Sequence, residues 1–408
     1  MNLPTVKRSQ QMGFTLVELM VSLVIGLLIV LGLITLLVNV NRSNSEMTKT
    51  NGVIENGRFA LQLLESDIVH AGYWGGFVPS FDNLTITGAP TDVPNAVVNP
   101  CLAYSTPWTA ADRSNLIGIS IQAYDATPPS GTGCVTNFAT NKKADTDMLV
   151  VRHADTCALQ WDIATSAWVA DSPNCESDES GKLYLQVSQC QLESATPYIL
   201  DTTGLTRHKR TCIGTGLPPA LPITSTDFAD KRKFISNIYY IRDYANTVGD
   251  GIPTLMRSQF GLASGTLAFQ AAQPLIEGIE GFSVEFGLDN VSDSGAAVAL
   301  NDAINWAATT PPNTSPTNRG DGIPDGAFIR CTSTLPCSAA QLTNAVAVKL
   351  YVLVRSVNTT PGYTDTKTYA MGTATPILTL GPFNDGYKRH LYTQTVRLIN
   401  ISSRRETP

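Results

Sequence analysis

Few residues in this chain have the types and spacing to do chemistry, and most of them are cysteines. All eight lie beyond residue 100, at Cys101, Cys134, Cys157, Cys175, Cys190, Cys212, Cys331 and Cys337. None forms a Cys-x-x-Cys pair or a Cys/His cluster with zinc-ligand spacing, so the chemistry that fits is disulfide formation in an oxidising compartment. The even count allows four bridges and leaves about a hundred connectivities open. Cys331 and Cys337, which enclose a short loop containing Thr334-Leu335-Pro336, are the pair that spacing singles out.

The remaining reactive types do not assemble into a catalytic pattern. The four histidines, His70, His153, His208 and His390, form no His-Glu-x-x-His pair, and there is no Gly-x-Ser-x-Gly elbow or phosphate-cradling glycine loop. His153 with Asp155 imitates half of a catalytic pair, but a strand-end histidine beside a polar loop accounts for it, and the chain is read as no enzyme. Gly249-Asp250-Gly251-Ile252-Pro253 recurs as Gly320-Asp321-Gly322-Ile323-Pro324, followed by Asp325. Asp321 and Asp325 are weak candidates for calcium, the only cofactor in view. Neither copy has the alternating Asp/Asn ladder of an EF-hand, and tight Gly/Pro turns are the simpler reading. The basic runs 207–210 and 231–233 read as solvated faces. Net charge is −6, and removal of a leader carrying Lys7 and Arg8 leaves 26 basic against 34 acidic side chains, a net −8. That balance argues against specific nucleic-acid binding, which rests on neutralising phosphates.

Glu18 is the anomaly that organises the rest. It stands at the head of twenty uncharged residues, 19–38, from Leu19 to Val38. A carboxylate there costs on the order of 3 kcal/mol at mid-membrane and less near the interface, so such a group usually has a partner.

Elements that would position these residues follow from the pattern. Twenty helical residues span about 30 Å, the thickness of a bilayer core. Lys7 and Arg8 hold residues 1–13 in the cytoplasm by the positive-inside rule, so everything after Asn39 is exported. An ordinary secretory signal is cut after its apolar run, whereas here the short basic leader precedes it without a spacer. Val53, Ala60, Leu61, Leu64 and Ile68 then recur at helical spacing, with Glu55, Arg58, Gln62, Glu65 and Asp67 expected on the opposite side. From Phe14 to His70 this helix would run roughly 85 Å. No proline interrupts it between Pro4 and Pro79, although Gly26, Gly32, Gly52 and Gly57 weaken it locally. Beyond residue 76 strands are expected at 148–153, 183–187, 234–242, 282–288, 345–355 and 390–400. The cysteine-rich stretch 77–230 has weaker periodicity.

Gly13-Phe14-Thr15-Leu16-Val17-Glu18, after a basic leader and before a long apolar run, resembles the prepilin-peptidase recognition pattern of type IV pilins. The stretches 57–76, 276–293, 347–356 and 387–400 resemble the PilW family of type IV pilus assembly proteins, while 80–230 resembles nothing identifiable. The resemblance implies cleavage after Gly13, N-methylation of Phe14, and pairing of Glu18 with the freed amine of a neighbouring subunit. It implies an α+β fold, with a long transmembrane and amphipathic helix packed on an antiparallel β-sheet pilin head. The expected segments are a leader (1–13), a transmembrane and assembly helix (14–38), its amphipathic continuation (39–76), a disulfide-rich insertion (77–230) and a PilW-like part (231–408). It also implies a minor pilin that primes pilus assembly at the filament tip. Its partners would be the prepilin peptidase, other minor pilins, the major pilin, the assembly platform and a tip adhesin. Such a subunit waits in the inner membrane as a single-pass protein with a periplasmic domain. A minor pseudopilin of type II secretion and an adhesive or DNA-capturing tip module are the alternatives.

Overall fold

The computed structural model describes residues 13, 15–102, 104, 108–125, 141–190, 197–206, 208–210, 228–263, 265–307 and 316–406. The fold is α+β. Helix α1 runs unbroken from Leu16 to Ile68, since no proline removes a backbone donor within it. The chain divides into two compact units, Met1–Gly52 and Val53–Pro408. In the first, residues 16–38 are exposed throughout. By length and composition this apolar helix can cross a membrane.

The second unit is built around the remainder of α1. Val53, Gly57, Ala60, Leu64 and Ile68 are its buried residues, spaced by three or four so that they share one face. They pack on two antiparallel sheets at once. Leu149, Val151, Tyr239, Ile241 and Leu255 of the larger sheet, with Phe282, Val284, Val348, Leu350, Val352 and Val396 of the smaller, form one core with the helix.

The larger sheet has ten strands hung on β7 (Lys231–Arg242). The second half of β7 pairs with β2 (Met148–Ala154) on one side and β8 (Thr254–Ala263) on the other. β1 (Ile121–Tyr124) extends the β2 edge, while β9 (Thr266–Phe269) and β10 (Gln273–Glu277) pair with β8. The first residues of β7 pair with β3 (Leu159–Asp162) and β5 (Tyr184–Val187), which carry β4 (Ala167–Ala170) and β6 (Tyr198–Asp201). The boundary expected at residue 230 therefore falls inside one sheet, and the strands of the cysteine-rich stretch share β7 with the strands that follow it.

The smaller sheet is β11 (Ile279–Leu288), β12 (Ala345–Arg355) and β15 (Arg389–Arg397), with β12 central. Val346, Val348, Leu350, Val352 and Val354 face α1, as their alternation implied, and Tyr351 and Leu353 bury the other face against Tyr369 and Met371. β13 (Tyr369–Ala370) and β14 (Thr379–Leu380) form a small hairpin there. Short helices α2 (Ala110–Gly118) and α3 (Ala339–Thr343) each begin with a capping box.

The six expected strands are present, with one correction. The last strand was expected to reach residue 400, but it stops at Arg397 and the chain turns into α4 (Ile399–Arg405). The turn is held by tertiary contacts. Asn400 donates to the Val69 carbonyl at 2.9 Å. Arg405, 1% exposed, donates to Asp82 at 3.0 Å, Asp289 at 3.3 Å and Asn344 at 3.0 Å.

Cys331–Cys337 is a disulfide, the pair that spacing had singled out. Cys157–Cys175 is a second. Cys101 and Cys190 are also disulfide-bonded, whereas Cys134 and Cys212 lie outside the described residues.

Gly57 is where α1 comes closest to the smaller sheet. A Cβ there would sit 2.2 Å from Cε2 of Tyr392, whose hydroxyl donates to the Val53 carbonyl. Gly57→Ala gains about 1 kcal/mol of helix propensity but overpacks the ring by about 1–3 kcal/mol. Denaturant titration should show Gly57→Ala to be destabilising in the natural chain and stabilising in a Tyr392→Ala background. The same sign in both backgrounds would refute this contact as the reason for the glycine.

Candidate functional site

α1 starts with a local device that uses the anomalous glutamate. Thr15 is the N-cap and Glu18 the third helical residue. The Thr15 backbone N–H and hydroxyl donate to Glu18 Oε2 at 3.0 and 2.9 Å, and the Glu18 N–H donates to Thr15 Oγ1 at 3.3 Å. This reciprocal capping box satisfies two of the free donors at the helix start and sets a negative charge at the positive end of the helix dipole. All of it is exposed. Gly13 is exposed, with nothing within 4 Å of where a side chain would begin. Phe14 and the leader residues Lys7 and Arg8 lie outside the described residues. Leu19 and Val38, the bounds of the expected span, are 54% and 58% exposed. Among the described residues, no part of the chain covers the apolar run between them.

At the other end of α1 the structure brings together residues that sequence reasoning kept apart. Asp67 was expected on the solvent side. It stands seven residues after Ala60, two helical turns, and therefore on the docked face. Its Oδ1 meets His153 Nε2 of β2 at 2.9 Å, and its Oδ2 accepts from Asn237 Nδ2 and the Tyr239 hydroxyl of β7, each at 3.0 Å. His153 Nδ1 donates to the Ala154 carbonyl at 2.8 Å, and the His70 ring lies 5.6 Å away. His153 is therefore turned toward the helix, and both of its ring nitrogens are engaged there. Burial pushes the Asp67 carboxyl up, but the hydrogen bond and charge of His153, with the Asn237 and Tyr239 donors, hold it below its ordinary value. Burial likewise pushes the His153 imidazole down, and the Asp67 carboxylate outweighs this and raises it.

The other sequence candidates are occupied locally. In the first Gly-Asp-Gly loop, Asp250 accepts the backbone N–H groups of Ala245, Asn246, Thr247 and Ile252 at 2.8–3.2 Å, which holds its carboxyl far below the usual range. In the second, Asp321 accepts from Ile323 N–H, and Asp325 accepts from the Asn290 and Val291 N–H groups, all at 2.8 Å. Asp289 accepts from the Asp321 and Gly322 N–H groups at 3.2 and 2.9 Å. Among the described residues, the group with metal-ligand proximity is Cys157, Asp171 and Cys175, and both of its sulfurs are in a disulfide.

The basic runs require a correction, because their described residues do not form solvated faces; Arg207 lies outside the described residues. Lys231, 3% exposed, pairs with Asp178 at 2.6 Å over the rings of Trp168 and Tyr184. Lys233 meets Glu176 at 3.2 Å, Arg210 meets Asp230 at 2.8 Å, and Lys209 lies over Phe228. Burying one end of β7 between β3 and β5 requires those cations to be paired.

Comparison with protein families decides the class. Residues 8–34 match the prokaryotic N-terminal methylation motif, and residues 238–400 match type IV pilus-assembly protein W. Over that stretch the chain is similar to the PilW family, and its start is similar to the prepilin-type methylation motif. No curated protein and no solved structure matches it significantly. The PilW match opens within β7 and closes in α4, so it takes in the whole smaller sheet, while the methylation match takes in Gly13, Phe14 and Glu18. Asp67 and His153, which latch the helix end to the larger sheet, lie in neither match.

The latch sets a pH dependence. The His153 pKa is raised above 6.5, so its contribution is complete below that value and disappears as pH climbs through the raised one. The Asp67 pKa is lowered below 3.8, so its contribution is complete above that value and disappears as pH falls through the lowered one. Stability of the chain should be greatest between about pH 4 and 6.5 and decline as pH rises through the raised His153 value. Asp67→Asn should flatten that decline and cost about 3 kcal/mol at pH 6, both read by denaturant unfolding at several pH values. A slope unchanged in the variant would place the titrating group elsewhere.

Proposed function

We propose that this chain is a minor pilin that primes type IV pilus assembly and sits at the filament tip. One observation carries the reading: an exposed apolar helix with an acid three residues inside its start precedes a PilW-matched domain. On this reading the prepilin peptidase cuts between Gly13 and Phe14, Phe14 is N-methylated, and the helix waits in the inner membrane with the domain in the periplasm. The assembly platform then moves it among the helices of other minor pilins and the major pilin. Lipid tails are as apolar as helix neighbours, so this exchange has little hydrophobic driving force, and packing and polar pairs must supply the specificity. Glu18 supplies it by pairing with the Phe14 amine of an adjacent subunit. The two charges neutralise each other, and the helices are offset by an axial step. A second unit of 356 residues suits a terminal position, where it need not fit between neighbours along a shaft. At the tip it would stand beside an adhesin.

Glutamine at the third helical residue can preserve a capping box, whereas alanine cannot. Glu18→Ala and Glu18→Gln should both be cleaved, as mass spectrometry of the N-terminal peptide would show by a methylated Phe14. Both should fail to support piliation. Normal pilus numbers with Glu18→Gln would mean that capping, not charge, is the role of this residue. A mature protein still beginning at Met1 would remove the whole reading.

A further inference from the structure

A cleft of about 750 Å³ opens between the 3-10 turn at Ser80–Asp82, the start of α2 and the ends of β5 and β6. Small-molecule sites occupy roughly 300–1,000 Å³. Every described residue that lines it falls between 76 and 198, outside both family matches.

The chemistry of its walls narrows the ligand. One wall is aromatic, with the rings of Phe77 and Tyr198 4.7 Å apart and tilted by 54°. Phe77 is buried, whereas Tyr198 is half-buried. Among the described residues that line it the cleft has one charge of each sign, and both are hydrogen-bonded. Asp92 accepts the Ser80 N–H at 2.8 Å and the Ser80 hydroxyl, and Arg113 Nη1 donates to the Trp108 carbonyl at 2.6 Å. The groups left to face a ligand are neutral. Asn83 uses its oxygen on Thr85, which leaves its amide nitrogen as a donor, and Gln189 is exposed at the rim. Nucleic acids and acidic glycans call for a cluster of cations rather than one guanidinium beside one carboxylate, and a peptide anchor calls for a dry apolar pocket. Neither is present among the described lining residues.

We propose that this cleft binds a neutral oligosaccharide, with the apolar face of one sugar ring on Tyr198 and its hydroxyls on the amides of Asn83 and Gln189. Aromatic rings offer rigid apolar area at low entropic cost, and the Gln189 amide can donate to one hydroxyl and accept from the next while Asn83 donates to another. The site goes beyond the assembly role and does not depend on it, because binding is read on the purified chain whether or not pili form.

The test applies the full-length chain in detergent micelles to an array of neutral and acidic oligosaccharides and of short peptides. Hits are titrated by calorimetry. Saturable binding to neutral oligosaccharides is expected, weakened roughly ten-fold in Tyr198→Ala and several-fold in Gln189→Ala. Gln189 is exposed, so its variant keeps the fold, and an unchanged melting temperature confirms that. Binding to no neutral oligosaccharide, binding to acidic glycans or peptides alone, or neutral binding that survives both substitutions would overturn the proposal.

Discussion

The docking of Val53, Gly57, Ala60, Leu64 and Ile68 between two sheets is the contact on which the rest of the second unit depends. Two of the five are small, and at Gly57 the aromatic edge of Tyr392 takes the place a side chain would fill. Close approach lets one helical face touch both sheets, so a single core serves both. The constraint on α1 is then double. Residues 19–38 are apolar on every side and none of the described residues covers them, whereas residues 53–68 are apolar on the one side that the sheets cover.

Buried charges fix where the loops meet this core. Asp147, 1% exposed at the start of β2, accepts the Val284 N–H of β11 at 2.8 Å and pairs with Arg330, which ties the larger sheet to the smaller. Glu285 accepts from the Tyr351 hydroxyl and from the N–H groups of Thr373 and Ala374, holding the chain that follows β13. Arg389, with its side chain fully buried, meets Glu280, Asp365 and Asp385. Such pairs contribute little net stability compared with apolar replacements, because desolvation offsets the attraction. Their effect here is positional, since each binds a different loop to one strand register.

How much of this was legible in the sequence depends on whether a signal was local. The apolar run 19–38 and the alternation of β12 are periodic within a single window, so the helix and the central strand could be read directly. The Cys331–Cys337 pair was legible because few residues separate the two thiols. β8 was missed because Arg257, Ser258 and Gln259 interrupt its apolar pattern. Ser258 is buried all the same, and its hydroxyl donates to the Gln270 carbonyl at 2.6 Å, a partner that no window over β8 contains. The Asp67 latch was misassigned for a different reason. The helical arithmetic for Asp67 was available, but a carboxylate on a docked face makes sense only once His153, 86 residues away, is known to meet it. The burial of Lys231 escaped notice for the same reason, since the rings of Trp168 and Tyr184 come from other strands and Asp178 from the loop between them.

The capping box at the head of α1 bears on how the proposed assembly step would be driven. Within one chain Glu18 is not a bare charge waiting for a partner, because Thr15 supplies two donors to it. A neighbour's amine therefore competes with hydrogen bonds already made, and the exposed cap is worth about 1 kcal/mol. In water the competition would be close, since exposed ion pairs contribute roughly 0–1 kcal/mol. Among packed apolar helices the balance tilts, because an unpaired carboxylate and an unpaired ammonium are each costly there while the pair carries no net charge. Thr15 can keep its hydroxyl on one carboxylate oxygen while the other accepts the amine, since an ionised carboxylate has room for several donors. The cap would then hold the carboxylate in place for the neighbour, so that the same geometry serves the isolated subunit and the assembled one.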